Sequence, residues 1–150
     1  MVGEHCQRIV CTVSPDDTLR EAAERMQRAG VGCVVVAQDE RPVAILTDRD
    51  LALEVLCEGL DPDVVHVQAV MGHPPITIDE HEPLHAAARQ IRAARVRRLP
   101  VVDASGTLVG LIAADDLMLH AADQLAHICQ VIRRQIAAPG RPLGGVDAGG

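Results

Sequence analysis

The chain has 150 residues and a formal net charge of −7. A strongly acidic protein repels polyanions, so we expect no nucleic-acid partner. No apolar run approaches the roughly 20 residues of a membrane helix, and the first residues lack the basic start and apolar stretch of a signal peptide. We therefore expect a cytoplasmic protein without a membrane partner. Aromatic residues make up 0% of the chain, so the core must be aliphatic.

The cysteines argue against a disulfide framework. There are five of them, an odd number, and no two have CxxC spacing. We expect reduced thiols that mostly pack as small apolar residues, and no metal site. No nucleophile, base and orienting group form a recognisable motif, and Walker-type and HExxH sequences are absent. The sequence therefore predicts no enzyme and no catalytic residues.

An internal repeat organises the chain. Residues 12–36 match residues 77–101 at a spacing of 65, and residues 43–51 match residues 109–117 at a spacing of 66. The one-residue slip falls in two segments that are typical of hairpin turns, where an insertion has little effect on the fold. Each half is predicted to read strand, helix, strand, strand, helix.

The first half begins with a β-branched strand at 10–13. Ser14 is predicted to cap the first helix, with Pro15 in its first turn and Asp17 as the acid of a capping box. Gly30 is predicted to end that helix.

Two apolar runs follow, at 34–36 and 43–46, and predict a hairpin that is buried on both faces. Thr47 is predicted to start the last helix of this half, which runs to about Cys57.

The second half repeats this plan. The predicted elements are strand 76–78, helix 83–94, strands 99–102 and 108–112, and helix 115–136. The final helix also carries apolar residues that a single small module would leave exposed, which predicts a homodimer. These residues are Leu117, Met118, Ala121, Leu125, Ile128, Val131 and Ile132.

Two segments carry a family resemblance. Residues 44–51 read Ala-Ile-Leu-Thr-Asp-Arg-Asp-Leu, and residues 97–103 read Arg-Arg-Leu-Pro-Val-Val-Asp. Together with the repeat, they resemble a tandem pair of CBS domains, the Bateman module, over about residues 2–135. The resemblance implies an α/β fold in which two β-α-β-β-α repeats pack as a pseudo-twofold pair, with small mixed sheets flanked by helices. It also implies that modules commonly pair into a flat dimer.

The predicted boundaries follow from the repeat and from composition. Residues 1–58 form the first CBS repeat, 59–68 the linker, and 69–136 the second repeat with its extended C-terminal helix. Residues 137–150 are rich in Gly and Pro and are predicted to be a disordered tail.

The resemblance implies that clefts between the repeats hold an adenosine-containing ligand: AMP, ADP, ATP or another adenosyl compound, with no cofactor required. The family motif is a Thr or Ser followed three residues later by Asp, at the start of the last helix of each repeat. Thr47 and Asp50 match it fully. In the second repeat Asp116 matches, but Ala113 replaces the hydroxyl residue, so this second site is degraded.

The resemblance further implies that the adenine lies against the first strand of the other repeat, and that the residues before Leu-Pro-Val-Val face the phosphates. The residues implied for site 1 are Thr47, Asp50, Ile76, Thr77, Arg97 and Arg98. The residues implied for site 2 are Cys11, Thr12 and Asp116. The positions that correspond to the two arginines are Gly32 and Cys33, which carry no charge.

These residue types suit such a ligand. An ionised Asp accepts two hydrogen bonds and can hold both ribose hydroxyls. An anion is favoured near the exposed N–H groups of a helix start, and Arg can pair with phosphate oxygens through two N–H groups. From spacing alone, Thr47 and Asp50 indicate an ordinary helix cap. The repeat and the resemblance favour a ligand site, and the two residues can serve both purposes. Arg89, Arg92 and Arg95 are interpreted as a solvated helix face.

Three hypotheses remain at this point. The first is a regulatory, energy-sensing module that binds a nucleotide and signals to an unidentified effector protein. The second is a ligand-free dimerisation or scaffold module. The third is an unrecognised enzyme or redox protein that uses its cysteines.

Overall fold

The computed structural model describes residues 1–137. The predicted tail therefore lies outside the described residues, except for Ala137, which ends the last helix. The elements of the first half are α1 (Val2–His5), β1 (Thr12–Val13), α2 (Leu19–Ala29), β2 (Cys33–Gln38), β3 (Arg41–Thr47) and α3 (Asp48–Leu56). After a 3₁₀ turn (Val67–Ala69), the second half contains β4 (Ile78–Asp79), α4 (Leu84–Ala94), β5 (Arg98–Val102), β6 (Leu108–Ala113) and α5 (Ala114–Ala137).

Each half contains a three-stranded mixed sheet. In the first half β1 is parallel to β2 and β2 is antiparallel to β3, and β4, β5 and β6 repeat this arrangement. Even the register repeats: Val13 pairs with Val36, and Ile78 pairs with Val101. The predicted α/β fold of two related halves, with mixed sheets and flanking helices, is confirmed.

The start of α2 corrects one prediction. The helix is capped by Thr18, whose hydroxyl accepts from the Glu21 N–H at 3.2 Å, while the Glu21 carboxylate accepts from the Thr18 N–H at 2.7 Å. Ser14 and Asp17 form a separate turn, in which the Ser14 N–H donates to the Asp17 carboxylate at 2.8 Å. Both pairs have capping-box spacing, and the pair that directly precedes the buried Leu19 starts the helix.

The end of α2 and the positions of the hairpins follow the predictions. The expected burial on both faces holds for β2, whereas in β3 only two alternate residues are buried. Gly30 has a φ of 65° and ends the helix in the left-handed conformation that glycine adopts without strain. The strands β2 and β3 are joined at Asp39 and Glu40, which also have positive φ values of 49° and 60°. The first strand of each half is shorter than predicted, Thr12–Val13 instead of 10–13 and Ile78–Asp79 instead of 76–78.

Each of the two cores buries one residue from the segment that precedes the other half. Val67, from the 3₁₀ turn that precedes the second half, is fully buried in the core of the first half. Val2, from α1, is fully buried in the core of the second half. Val2 and Val67 are 65 residues apart, so the repeat extends to the N-terminal helix. Gln7 continues this contact by forming a β-bridge with Leu111 of β6.

Residues 1–117 form one compact unit, and a second unit begins at Met118. The described part of the second unit is the remainder of α5, on which Leu125, Ile128 and Ile136 are exposed. None of the helices within residues 1–137 has the length and apolar character needed to cross a membrane.

Candidate functional site

Residues of both halves line a cleft, which we call cleft A. Its volume is about 360 Å³. It is lined by Ile45, Thr47, His73, Pro75, Ile76, Val96, Arg97 and Arg98. Cleft A therefore combines the end of β3, the segment before β4 and the start of β5.

A second cleft, cleft B, has a volume of about 490 Å³. It is lined by Gln7, Ile9, Val10, Cys11, Ala29, Gly30, Val31, Gly32, Cys33, Arg98, Leu111, Ala113, Asp115 and Asp116. Its volume exceeds that of cleft A, although its sequence motif is the degraded one.

The two clefts are related by the internal repeat. Every lining residue of cleft A except His73 has its repeat equivalent, 65 or 66 positions away, on the wall of cleft B. The equivalent pairs are Ile45 and Leu111, Thr47 and Ala113, Pro75 and Val10, Ile76 and Cys11, Val96 and Val31, Arg97 and Gly32, and Arg98 and Cys33. The clefts are thus two versions of one architecture with different side chains.

At cleft A, Thr47 and Asp50 form a reciprocal cap at the start of α3. Asp50 Oδ2 accepts from the Thr47 N–H at 2.9 Å and from the Thr47 hydroxyl at 2.7 Å. The Asp50 N–H donates to Thr47 Oγ1 at 3.1 Å. Thr47 lines the cleft directly, whereas Asp50 is not among the lining residues and is held next to the cleft by its hydrogen bonds to Thr47.

At cleft B, the equivalent cap lacks a hydroxyl. Asp116 Oδ2 accepts from the Ala113 N–H at 2.8 Å. Asp116 itself lines the cleft, beside Asp115. Without the threonine hydroxyl, this carboxylate has one fewer hydrogen bond than Asp50.

The two arginines lie at the start of β5. Arg97 is exposed, and its Nη2 lies 3.9 Å from Asp115 Oδ2. Its carbonyl accepts from the Ala114 N–H at 2.9 Å, which ties the start of β5 to the start of α5. Arg98 is partly buried and lines both clefts.

Cys33 in cleft B is not an activated nucleophile. Burial raises the pKa of the Cys33 thiol, and the nearby positive charge of Arg98 opposes this effect only in part. The thiol therefore stays protonated near neutral pH. All five cysteines are free thiols. Among residues 1–137, no group of His, Cys, Asp and Glu is arranged to hold a metal ion.

The structure places most of the predicted residues in the clefts. Thr47, Ile76, Arg97 and Arg98 meet in cleft A, while Cys11 and Asp116 meet in cleft B. The remaining three, Asp50, Thr77 and Thr12, are not part of the cleft walls.

Of the ionisable residues in the cleft walls, sequence reasoning missed His73 in cleft A and Asp115 in cleft B, and it also missed the apolar Ile45 and Val96 of cleft A. The repeat carried no signal for His73, because the equivalent position holds an arginine, Arg8. This arginine pairs with Glu80 at 2.9 Å and does not line cleft B. Asp115 could have been found from its position beside Asp116.

Comparison with known proteins agrees with this geometry. The CBS domain family model matches residues 2–56 and 67–123. The uncharacterized protein MK0525 of Methanopyrus kandleri is 36% identical over 118 residues, which cover 78% of this chain and 60% of that protein. The CBS domain-containing protein YhcV of Bacillus subtilis is 34% identical over 116 residues, 74% of this chain and 78% of that protein. An inosine-5'-monophosphate dehydrogenase of Thermoplasma acidophilum is 34% identical over 111 residues, but the chain spans only 21% of that enzyme.

Solved structures show the same fold. The CBS domain protein PAE2072 from Pyrobaculum aerophilum, complexed with AMP, superimposes with a TM-score of 0.70 at 28% identity and covers 81% of this chain and 98% of that chain. CBSX2, in complex with AMP, has a TM-score of 0.68 at 25% identity, with 83% and 97% coverage. With two matches in tandem and a repeated architecture around two clefts, this chain belongs to the CBS domain family and is a tandem CBS pair.

Proposed function

We propose that this CBS pair is a regulatory sensor that binds an adenosine-containing nucleotide, AMP, ADP or ATP, in cleft A and signals to a separate effector protein. The observation that carries the proposal is the composition of cleft A. Thr47, Ile76 and the two arginines come from three separate segments, and they line one cleft between the halves.

The ribose is assigned to the Thr47–Asp50 pair. Both hydrogen bonds that Asp50 accepts from Thr47 fall on Oδ2. Oδ1 therefore keeps its capacity to accept from a ribose hydroxyl, because an ionised carboxylate has acceptor sites on both oxygens. Thr77, beside Ile76 in the segment before β4, is included in the proposed site.

The base and the phosphates are assigned to different side chains of cleft A. Ile45, Ile76 and Val96 provide aliphatic surface for the adenine. Arg97 and Arg98 provide two guanidinium groups, which match phosphate oxygens in geometry and charge. The AMP complexes of PAE2072 and CBSX2 support an adenosyl ligand in a cleft of this fold.

Cleft B, with Cys11, Thr12 and Asp116, is proposed as a second, weaker site. Its cap lacks the threonine hydroxyl, and glycine and cysteine stand where cleft A has two arginines. A nucleotide there has fewer charge-assisted partners, so its affinity is expected to be lower.

The proposal includes a homodimer. On α5 the residues Met118, Leu125 and Ile132 recur every seven positions and are exposed along the helix. Ala121 and Ile128 fall between them, so that the apolar positions alternate at spacings of three and four, the pattern of a helix seam. A second copy of the chain would cover this apolar face.

The proposed role is regulatory and not catalytic, in the cytoplasm. The similarity to the dehydrogenase covers about a fifth of that enzyme, 21%, and so provides no argument for its chemistry here. A sensor needs an output, and we propose that a separate protein reads the bound state.

The binding experiment is calorimetric titration of the full chain with AMP and with adenosine. We expect AMP to bind, and the double substitution of Arg97 and Arg98 by Ala to weaken AMP more than adenosine. Arg92→Ala is the matched control, because Arg92 is exposed on α4 and lines neither cleft. If no adenosyl compound binds the intact chain, the proposal is wrong.

A direct readout is available as well. The chain has no aromatic residues, so bound adenine would dominate its absorbance near 260 nm. Mass spectrometry of the denatured supernatant then identifies the nucleotide.

One observation favours the alternative, a ligand-free dimerisation or scaffold module. Asp50 is already engaged as the cap of α3, and this function alone explains its presence. A dimer that binds no adenosyl compound would establish this alternative.

A further inference from the structure

Arg98 is shared by the two clefts. It lines cleft A with Arg97, and it also lines cleft B with Asp115 and Asp116. Among the residues that line cleft B, it is the only lysine or arginine. Its repeat equivalent, Cys33, lies on the wall of cleft B alone, so the sharing has no counterpart in the first half.

A second contact links the same two walls. Arg97 lines cleft A, Asp115 lines cleft B, and their charged groups lie 3.9 Å apart. A phosphate that attracts Arg97 in cleft A would therefore also take a positive charge away from the wall of cleft B.

The side chains that line cleft A carry a net positive charge, whereas those that line cleft B carry a net negative charge. Two arginines face cleft A, whereas two aspartates face cleft B and only Arg98 balances them. We propose that the two clefts compete for Arg98, so that a phosphorylated ligand in cleft A lowers the affinity of cleft B for a second phosphorylated ligand. This inference rests on the proposed function, since it requires nucleotide binding in cleft A.

The physical reason is that one guanidinium carries one positive charge. When it pairs with a phosphate in cleft A, Asp115 and Asp116 dominate the field in cleft B and repel an anion. An uncharged adenosyl compound needs no cation and is not excluded. The chain would then bind one phosphorylated nucleotide tightly, while cleft B stays open to adenosine.

Methyl NMR can follow the clefts separately. Ile76 lines cleft A and Ile9 lines cleft B, and their δ1-methyl signals are assigned with Ile76→Val and Ile9→Val. When the 150-residue chain is titrated with AMP, we expect the Ile76 signal to shift at a lower AMP concentration than the Ile9 signal. Asp50→Ala disables cleft A. In this variant the AMP concentration at which the Ile9 signal is half-shifted, its midpoint, should fall by about fivefold or more.

Further variants separate the cause from a folding defect. Val96→Trp blocks cleft A by bulk without altering the cap of α3, and it should move the Ile9 midpoint in the same direction. Arg98→Met removes the shared charge, and blocking cleft A in this background should leave the Ile9 midpoint unchanged. Adenosine should give the same Ile9 midpoint whether cleft A is open or blocked, and Arg92→Ala should behave as the unsubstituted protein.

The outcomes distinguish this inference from the proposed function. An Ile76 signal that responds to neither AMP nor adenosine overturns both. The inference alone is overturned if the Ile76 signal responds but the Ile9 midpoint for AMP is the same in the unsubstituted protein and in the variants with cleft A blocked. An Ile9 signal that never responds to AMP, or coupling that persists in Arg98→Met, also overturns it.

Discussion

The Asp50 carboxylate accepts hydrogen bonds from both the N–H and the hydroxyl of Thr47, at 2.9 and 2.7 Å. This pair caps α3 and also places Thr47 on the wall of cleft A. One structural element thus serves both the stability of the first half and the proposed ligand site. Experiments on either residue therefore need to measure folding and binding separately.

The cap of α3 predicts that the Thr47 hydroxyl stabilises the folded protein. Thr47→Ala removes the hydroxyl that accepts from the Asp50 N–H, and we expect the free energy of unfolding to fall by about 1 kcal/mol. Urea denaturation measures the change. The matched control is Ala113→Thr, which supplies the missing hydroxyl at the equivalent position and should not destabilise the protein. An unchanged urea midpoint for Thr47→Ala would show that the cap contributes nothing.

The contact between the N-terminal segment and the second half predicts an effect at Gly110. A Cβ added there would lie 2.5 Å from Cys6 Sγ and 3.2 Å from the Gln7 carbonyl oxygen. Gly110→Ala should therefore lower the free energy of unfolding by about 1–3 kcal/mol, the usual cost of overpacking. Adding Cys6→Ala should restore part of the loss, because it removes the closest clash. If the single variant is as stable as the unsubstituted protein, the N-terminal segment does not pack as described.

The turn between β5 and β6 predicts a pH dependence. Hydrogen bonds from the Ser105 hydroxyl and the Thr107 N–H lower the pKa of Asp103 below its ordinary value. A carboxyl with a lowered pKa in the folded state stabilises the protein above its unfolded pKa and loses this contribution as the pH falls through the folded pKa. The free energy of unfolding should thus decrease below about pH 4. Asp103→Asn should show a smaller decrease in urea titrations between pH 6 and pH 3, and equal slopes for both proteins would contradict this assignment.

The apolar face of α5 predicts the oligomeric state. Light scattering should give twice the monomer mass, and Ile128→Asp should shift the protein toward the monomer, because it places a charge within the apolar seam. Gln130→Asp, which adds the same charge at a position two residues away and off the seam, should remain dimeric. A monomer mass for the unsubstituted protein at every concentration would disprove the dimer.

The order of the helices and strands could be predicted because the same apolar pattern occurs in both halves of the sequence. Apolar spacing at Leu19 and Leu84 and the two hairpins recur in both halves, whereas the position equivalent to Gly30 holds Arg95, which ends α4 with a positive φ of 55°. The choice between Ser14 and Thr18 as the cap of α2 could not be made in this way, since both residues begin a sequence with capping-box spacing. Only the position of the buried Leu19 in the folded core separates them.

Contacts between the halves were the least predictable feature. Val2 lies in the core of the other half, and no local pattern reveals which core a four-residue helix will join. The charge shared through Arg98 also depends on how closely two distant walls approach. The family resemblance implied two clefts, but it assigned Arg98 to only one of them.

Calorimetric titration of AMP into Asp50→Ala and Asp116→Ala tests the central claim most directly. A hydrogen bond to a charged group contributes about 1.5–3 kcal/mol, so Asp50→Ala should weaken tight AMP binding about ten- to hundredfold. Asp116→Ala should leave tight binding nearly unchanged. The melting temperature of each variant without ligand is measured first, because Asp50→Ala also removes the cap of α3. Equal losses in the two variants, with both proteins folded, would contradict the assignment of the nucleotide to cleft A.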